Sequence, residues 1–255
     1  MLLPVLIVVI TLLLVLLAAF SVYGRWGASR GATIDEVNLR LEGDQWLDNR
    51  QRMHLRMTRA IWIDAPPEQV WPWIAQMGRG AGWYSHDLLD NGRRKSAEHV
   101  VSWIPEPELG DAAVIGYLRH LVPGQELAWW LKGTQFLGAW LRGVMFYRVT
   151  PDGARSRLVV RIQADAQGWL AQPACWLFRI MDCVMAWKQI KGIKQRVENF
   201  GDPTENPDCP ETGKRDQYQL YQVIYASGES AGQTGRRDAV AWRRSAIDDG
   251  VIANV

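Results

Sequence analysis

The sequence predicts an α+β chain in which an antiparallel sheet is followed by one long carboxy-terminal helix, behind a single apolar amino-terminal helix. Three observations carry this expectation: an uncharged run over the first twenty residues, alternating strand patterns on either side of Thr150-Pro-Asp-Gly153, and apolar residues stepping by three or four from near Pro173 to Phe200.

The opening run, MLLPVLIVVITLLLVLLAAF, is broken only by Pro4 and Thr11. At 1.5 Å per residue it reaches about 30 Å, the thickness of a bilayer's hydrocarbon core. Roughly seventeen strongly apolar residues at about −0.3 to −0.6 kcal/mol each give an insertion gain on the order of −5 to −10 kcal/mol. A cleaved signal peptide would carry a basic region before a shorter apolar stretch, and nothing basic precedes this one. The expectation is a retained single-pass anchor over 1–23. Arg25, Arg30 and Arg40 follow it, so the positive-inside bias places the rest in the cytoplasm.

Residues 24–53 read as a juxtamembrane connector with a short helix around Ile34 to Leu47. The folded domain is expected over 54–201. Met57 to Ile63 alternates like a strand, which Asp64-Ala-Pro-Pro67 must end because two prolines cannot continue a ladder. Pro66 and Pro67 then suit a helix's first turn, with Val70, Trp71, Trp73, Ile74 and Met77 near helical spacing. Gly78-Arg-Gly-Ala-Gly82 reads as a mobile rim loop, and Tyr84 to Asn91 as a second short helix. Glu126 to Leu131 is a strand, and Ala139 to Ala164 a hairpin. On its first arm Val144, Phe146 and Arg148 face one way and Met145, Tyr147 and Val149 the other; on its second, Leu158, Val160 and Ile162 alternate with Val159 and Arg161. In the long helix, Trp176, Ile180, Cys183, Trp187, Ile190, Ile193, Val197 and Phe200 form one stripe. Lys188, Lys191, Lys194 and Arg196 lie on the other face, where they complement the negative end of the helix dipole. Residues 202–255 form a tail with a proline-punctuated linker, in which Tyr218 to Tyr225 and Asp238 to Ile247 are apolar enough to dock.

Composition excludes several classes of function. At 48% hydrophobic and 22% charged the chain is globular rather than disordered. Lys and Arg total 29 against 27 acidic residues, a net charge of +2 that lacks the basic excess used to neutralise phosphates, so nucleic acid is not an expected partner. Cys175, Cys183 and Cys209 match neither a disulfide framework nor a zinc site and fit a reducing compartment. No metal or cofactor is expected. Gly228-Glu-Ser-Ala-Gly232 matches a nucleophile elbow, yet no histidine follows His120 to complete a triad. Ser85, His86 and Asp87 are consecutive and point about 100° apart on a helix, so they cannot bond in series. His86 and Asp90 could share a helix face but lack a clear third metal ligand.

The element order carries a resemblance. A strand ending in Ile63-Asp-Ala-Pro-Pro-Glu-Gln-Val-Trp71, a helix directly after it, a run of antiparallel strands and a long closing helix resemble the START-like superfamily, also called SRPBCC or the polyketide cyclase and dehydratase group. The likeness covers roughly 54 to 200. It implies a helix-grip fold, a curved antiparallel sheet wrapped around the carboxy-terminal helix with an apolar cavity between. It also implies binding of lipids, sterols or polyketide-like molecules, with enzymatic activity in some members. The apolar helix, the tail and the 14 tryptophans depart from the pattern.

On that likeness the segment after the first helix lies at the cavity mouth, where His86, Tyr84 or Asp87 would hydrogen-bond a ligand head group, and Trp83, Tyr84 and His86 are counted among the expected ligand-binding residues. Trp71, Trp73, Trp129, Trp130, Trp140, Trp176 and Trp187 lie on elements that should face the sheet–helix interior, as core or as pocket wall. Trp129, Trp176 and Trp187, with Arg148 as counter-charge, complete the expected ligand-binding set. Arg161 shares the counter-charge role only if it, like Arg148, points inward. The expected function is membrane-tethered binding of a hydrophobic small molecule. Its rivals are a cyclase or dehydratase using His86, Asp87 or His120 as general acid or base, and a protein-interaction module built on the tail.

Overall fold

The computed structural model describes residues 2–47, 53–113 and 115–200; the tail, with Cys209 and Gly228 to Gly232, lies outside them. Six antiparallel strands form one sheet in the order β1-β6-β5-β4-β3-β2. They are β1 (Met53–Ile63), β2 (Ala112–Ala113), β3 (Gly116–Val122), β4 (Glu126–Phe136), β5 (Ala139–Asp152) and β6 (Arg155–Gln167). Four hairpin-connected strands thus grow outward from β6, while β1 returns to β6's free side. The register aligns Leu118, Trp129, Met145, Ile162 and Met57 as one row across five strands. Because side chains alternate across a strand, this row and its i±2 neighbours make the inner face.

Helix α3 (Pro67–Gln76) starts on the expected Pro-Pro pair and buries Val70, Trp71, Trp73 and Ile74. The Gly78-to-Gly82 segment is not a mobile rim. Arg79 is 1% exposed, its Nη2 is 2.7 Å from Asp111 Oδ2 and its Nη1 donates to Pro105 O at 2.8 Å. A Cβ on Gly78 would fall 2.4 Å from the Trp83 ring, so the glycines serve close packing. The following helix, α4, is a single turn (Asp87–Asp90), shorter than the sequence suggests because Tyr84 at φ 57 breaks the chain direction first.

The long helix α5 (Ala171–Phe200) lies across the inner face, and at 30 residues is about 45 Å long. Its second half behaves as the periodicity predicts: Ile190, Ile193 and Val197 are at most 2% exposed in the main core. The first half of the stripe does something else. Trp176 Nε1 donates to Ser21 Oγ at 3.0 Å, and Cβ atoms placed on Gly24 and Gly27 would fall 3.5 Å from Ile180 and 2.7 Å from Cys183 Sγ. These residues pack against the end of α1 (Leu2–Ala28), which runs parallel to α5. Residues 4–20 of α1 are exposed throughout, and α1 is the one described helix long and apolar enough to cross a membrane, with mean hydropathy 3.2.

The stretch after α1, read from sequence as a connector, packs on the sheet's outer face. Thr33 caps α2 (Ile34–Asn38) in a capping box with Glu36. Glu36 grips Arg157 through two 2.7 Å contacts, and Arg161 donates to Leu39 O at 2.6 Å, Glu36 O at 2.7 Å and Asp44 at 2.9 Å. Leu41 and Leu47 are buried against Ala128, Val144 and Phe146.

Candidate functional site

Between the inner face and the first half of α5 lies a cavity of about 390 Å³. Its walls come from strand residues Ile115, Leu131, Met145 and Ile162 and from Phe178, Met181, Met185 and Ala186 of α5. Only Ser85, Asp90, Asp182 and Gln189 contribute polar side chains. Phe178, Asp182, Met185 and Gln189 are spaced i, i+4, i+7 and i+11, so they form one helix face. This face is distinct from the stripe that meets α1. Leu89 and Met181, 68% and 42% exposed, stand at the mouth.

Asp182 sits on the cavity floor beside Arg59 of β1, with Arg59 Nη1 to Asp182 Oδ2 at 2.7 Å. Arg59 is fully buried and also donates from Nε to Gly27 O at 2.7 Å, tying α1, β1 and α5 together. Burial raises the Asp182 carboxyl, and Arg59 only partly opposes the rise. Tyr147 Oη donates to Gln189 Oε1 at 2.8 Å, which leaves the Gln189 amide nitrogen without a protein partner among the described residues. Burial, and then repulsion from Asp87, likewise raises Asp90 at the mouth. The arrangement is an apolar chamber with a hydrogen-bonding floor.

A second, polar cleft of about 500 Å³ lies across the Tyr84-to-Asp87 segment, which crosses α5 with Ser85 Oγ donating to Met185 O at 2.9 Å. Tyr23 of α1, His86, Lys188, Lys191 and Arg196 line it, with Asp87 as its acid.

The structure distributes the expected ligand-binding residues over several places. Trp83 lines the cavity. Tyr84, His86 and Trp187 line the polar cleft instead: the Tyr84 ring lies under Arg196 at 4.5 Å, His86 Nδ1 is 3.3 Å from Lys188 Nζ, and Arg30 stacks on Trp187 at 4.0 Å. Trp129 is wholly buried in the main core. Trp176 faces α1. Arg148 points to the outer face, paired with Glu126 at 2.6 Å, and Arg161 also points outward. His120 is on that face too, stacked on Phe146 and 3.0 Å from Glu126. None of His86, Asp87 and His120 lines the cavity. Among the described residues no group of three His, Cys, Asp or Glu side chains is placed to hold a metal.

Asp182 and Gln189 are not legible in the sequence because they lie off the stronger apolar stripe of α5, whose periodicity marks a different face. The available signal was the acid itself, isolated between Met181 and Cys183 in an apolar run.

No protein-family model matches the chain, and no curated protein matches it. Among solved structures, protein MLL2253 from Mesorhizobium loti is 17% identical and covers 58% of this chain and 99% of its own, with a TM-score of 0.36. TTHA0849 from Thermus thermophilus is 16% identical over 59% of this chain and 100% of its own, with a TM-score of 0.34. BexL, a di-domain ARO/CYC from the BE-7585A biosynthetic pathway, is 18% identical over 58% of this chain and 48% of its own, with a TM-score of 0.35; this chain spans about half of BexL. The antiparallel sheet closing on the long carboxy-terminal helix is the α+β, helix-grip arrangement that the sequence predicts.

Proposed function

We propose that the protein holds a hydrophobic small molecule, of lipid, isoprenoid or polyketide-like type, in the sheet–helix cavity while α1 tethers it to a membrane with the domain on the cytoplasmic side. The observation that carries this reading is the cavity: about 390 Å³ lies within the range of small-molecule pockets, and its wall is apolar with few polar groups. Met145, Met181 and Met185 give that wall soft, adaptable surfaces that re-pack around ligands of different outline. Asp182 and Gln189 would orient a ligand bearing one hydroxyl or carbonyl group. Tethering supplies the mechanism of loading, since an anchored mouth meets membrane-dissolved molecules at high effective concentration. The docking of Ser21 to Ala28 on α5 supports a tether without slack.

The test is mass spectrometry of organic extracts from the purified full chain and from Met181→Trp, which plugs the mouth at a half-exposed position. An apolar molecule near one per chain in the wild type, and lost in the variant, is the expected result. Equal, empty extracts from both folded proteins would sink the reading.

A further inference from the structure

Two stretches, residues 133–141 and 166–178, contain no charged side chain. The fold brings them together at one end of the molecule. Trp140 pairs with Gln167 and Leu141 with Ala166 across β5 and β6, and a Cβ on Gly138 would touch Leu170 at 3.1 Å. This end shows large apolar side chains to solvent: Trp169 is 86% exposed, Leu137 54% and Trp140 49%. The opposite end is charged, and its exposed Trp62 is covered by Arg155 and Arg157 at 5.0 and 4.7 Å. Among the described residues Trp140 and Trp169 have no such cation.

The turn at this end is also chosen against local preference. Leu137 and Gly138 have φ of 47° and 75°, the two-residue hairpin turn in which asparagine before glycine is favoured. A leucine there accepts both a left-handed backbone and a wet apolar side chain. Among the described residues neither local sterics nor packing accounts for it.

The direction of α1 shows what lies beyond. Contacts of Ser21 with Trp176, Gly24 with Ile180 and Gly27 with Cys183 run in the same order on both helices. The start of α5, and Trp169 before it, therefore lies toward the exposed apolar part of α1. We propose that Leu137, Trp140 and Trp169 form a membrane-contact tip, seated in the lipid interface beside α1. Trp residues suit that depth because the ring is amphipathic, and leucine suits the acyl boundary. This rests on the reading of α1 as a membrane helix. Two contacts with the bilayer stop the domain from turning about α1 and hold the mouth at Met181, little more than one helical turn past Trp176, close to the lipid surface.

The test uses the full chain in phosphatidylcholine vesicles with plain or brominated acyl chains, reading Trp emission from wild type, Trp140→Phe/Trp169→Phe and Trp62→Phe. Flotation reports binding, and the resistance of Cys175 and Cys183 to thiol reagents reports folding. The expected result is a bromine-quenched component that shrinks in the double variant and is unchanged in Trp62→Phe, with all three floating. An undiminished quenched component in a floating, folded double variant overturns the tip and leaves the anchor standing. Failure of the wild type to float overturns both. Lipid-independent, concentration-dependent dimerisation that the double variant abolishes assigns the tip to a second copy and overturns the proposal.

Discussion

Arg59 and Asp182 show how one residue pair governs both stability and the floor of the cavity. Two opposite charges in an apolar wall offset each other's desolvation, and removing one strands the other. Arg59→Met is expected to cost about 3–5 kcal/mol, measured by urea unfolding at neutral pH. The Asp182 carboxyl is raised by burial, and this variant removes the Arg59 that opposes the rise. A group raised in the folded state contributes stability below its unfolded value, here an ordinary 3.8, and loses it as pH rises through the folded value. The variant should therefore be closest to wild type in acid and fall away toward neutrality. A deficit independent of pH would assign the loss to packing alone. Glu36 works in the opposite sense. Burial alone would raise it, but hydrogen bonds from Arg157 and Thr33 hold it below its ordinary 4.5. Its contribution is present above 4.5 and is lost as pH falls through the lowered value, so Glu36→Gln should flatten the acid limb of the stability curve.

At the scale of elements, α5 is a helix with two buried faces. Its stripe through Trp176, Ile180 and Cys183 receives α1, and its face through Phe178, Asp182 and Met185 looks into the cavity. A helix buried on both sides shows no clean amphipathic pattern, so sequence periodicity reports the more apolar face and is silent about the other. Gly24 and Gly27 allow the close approach, as small residues do between packed helices. Gly27→Val should lift the end of α1 from α5, because the added Cβ would lie 2.7 Å from Cys183 Sγ and that neighbour also contacts the buried Arg59. The expected readout is faster labelling of Cys183 by a thiol reagent with Cys175 unchanged. Unaltered labelling of both would show that α1 is not needed to cover Cys183.

Across the whole molecule, the polar surface is unevenly spread. Charges and caps gather on the outer face, where residues 29–47 cover the sheet, and at the end away from α1. The inner face holds the chamber. A ligand that binds only the folded state raises its stability by RT ln(1 + [L]/Kd), about 2.7 kcal/mol at a hundredfold excess over Kd. If the chamber holds the proposed hydrophobic molecule, its removal by detergent exchange should therefore lower Tm in the wild type and leave Met181→Trp unchanged. An identical Tm before and after exchange in the wild type would mean that the chamber is not where the molecule binds.

The sequence alone determined the apolar helix, the Pro-Pro helix start after β1, the β5–β6 hairpin and the long closing helix. Each is set by local rules: hydropathy over a bilayer's length, proline's missing donor, two-residue alternation and 3.6-residue periodicity. That the segment after the first helix approaches the cavity followed from the resemblance in element order and not from a local rule, and Trp83 is its one expected ligand-binding residue among the cavity's lining. Tertiary structure alone decided which way Arg148 points, that Trp176 serves α1 rather than the cavity, and that residues 29–47 clothe the sheet. It also decided that Asp182 and Gln189 form the floor. These depend on which face of an element meets which neighbour, a long-range choice that a strand's alternation or a helix's stripe leaves open until sheet, helix and anchor are packed together.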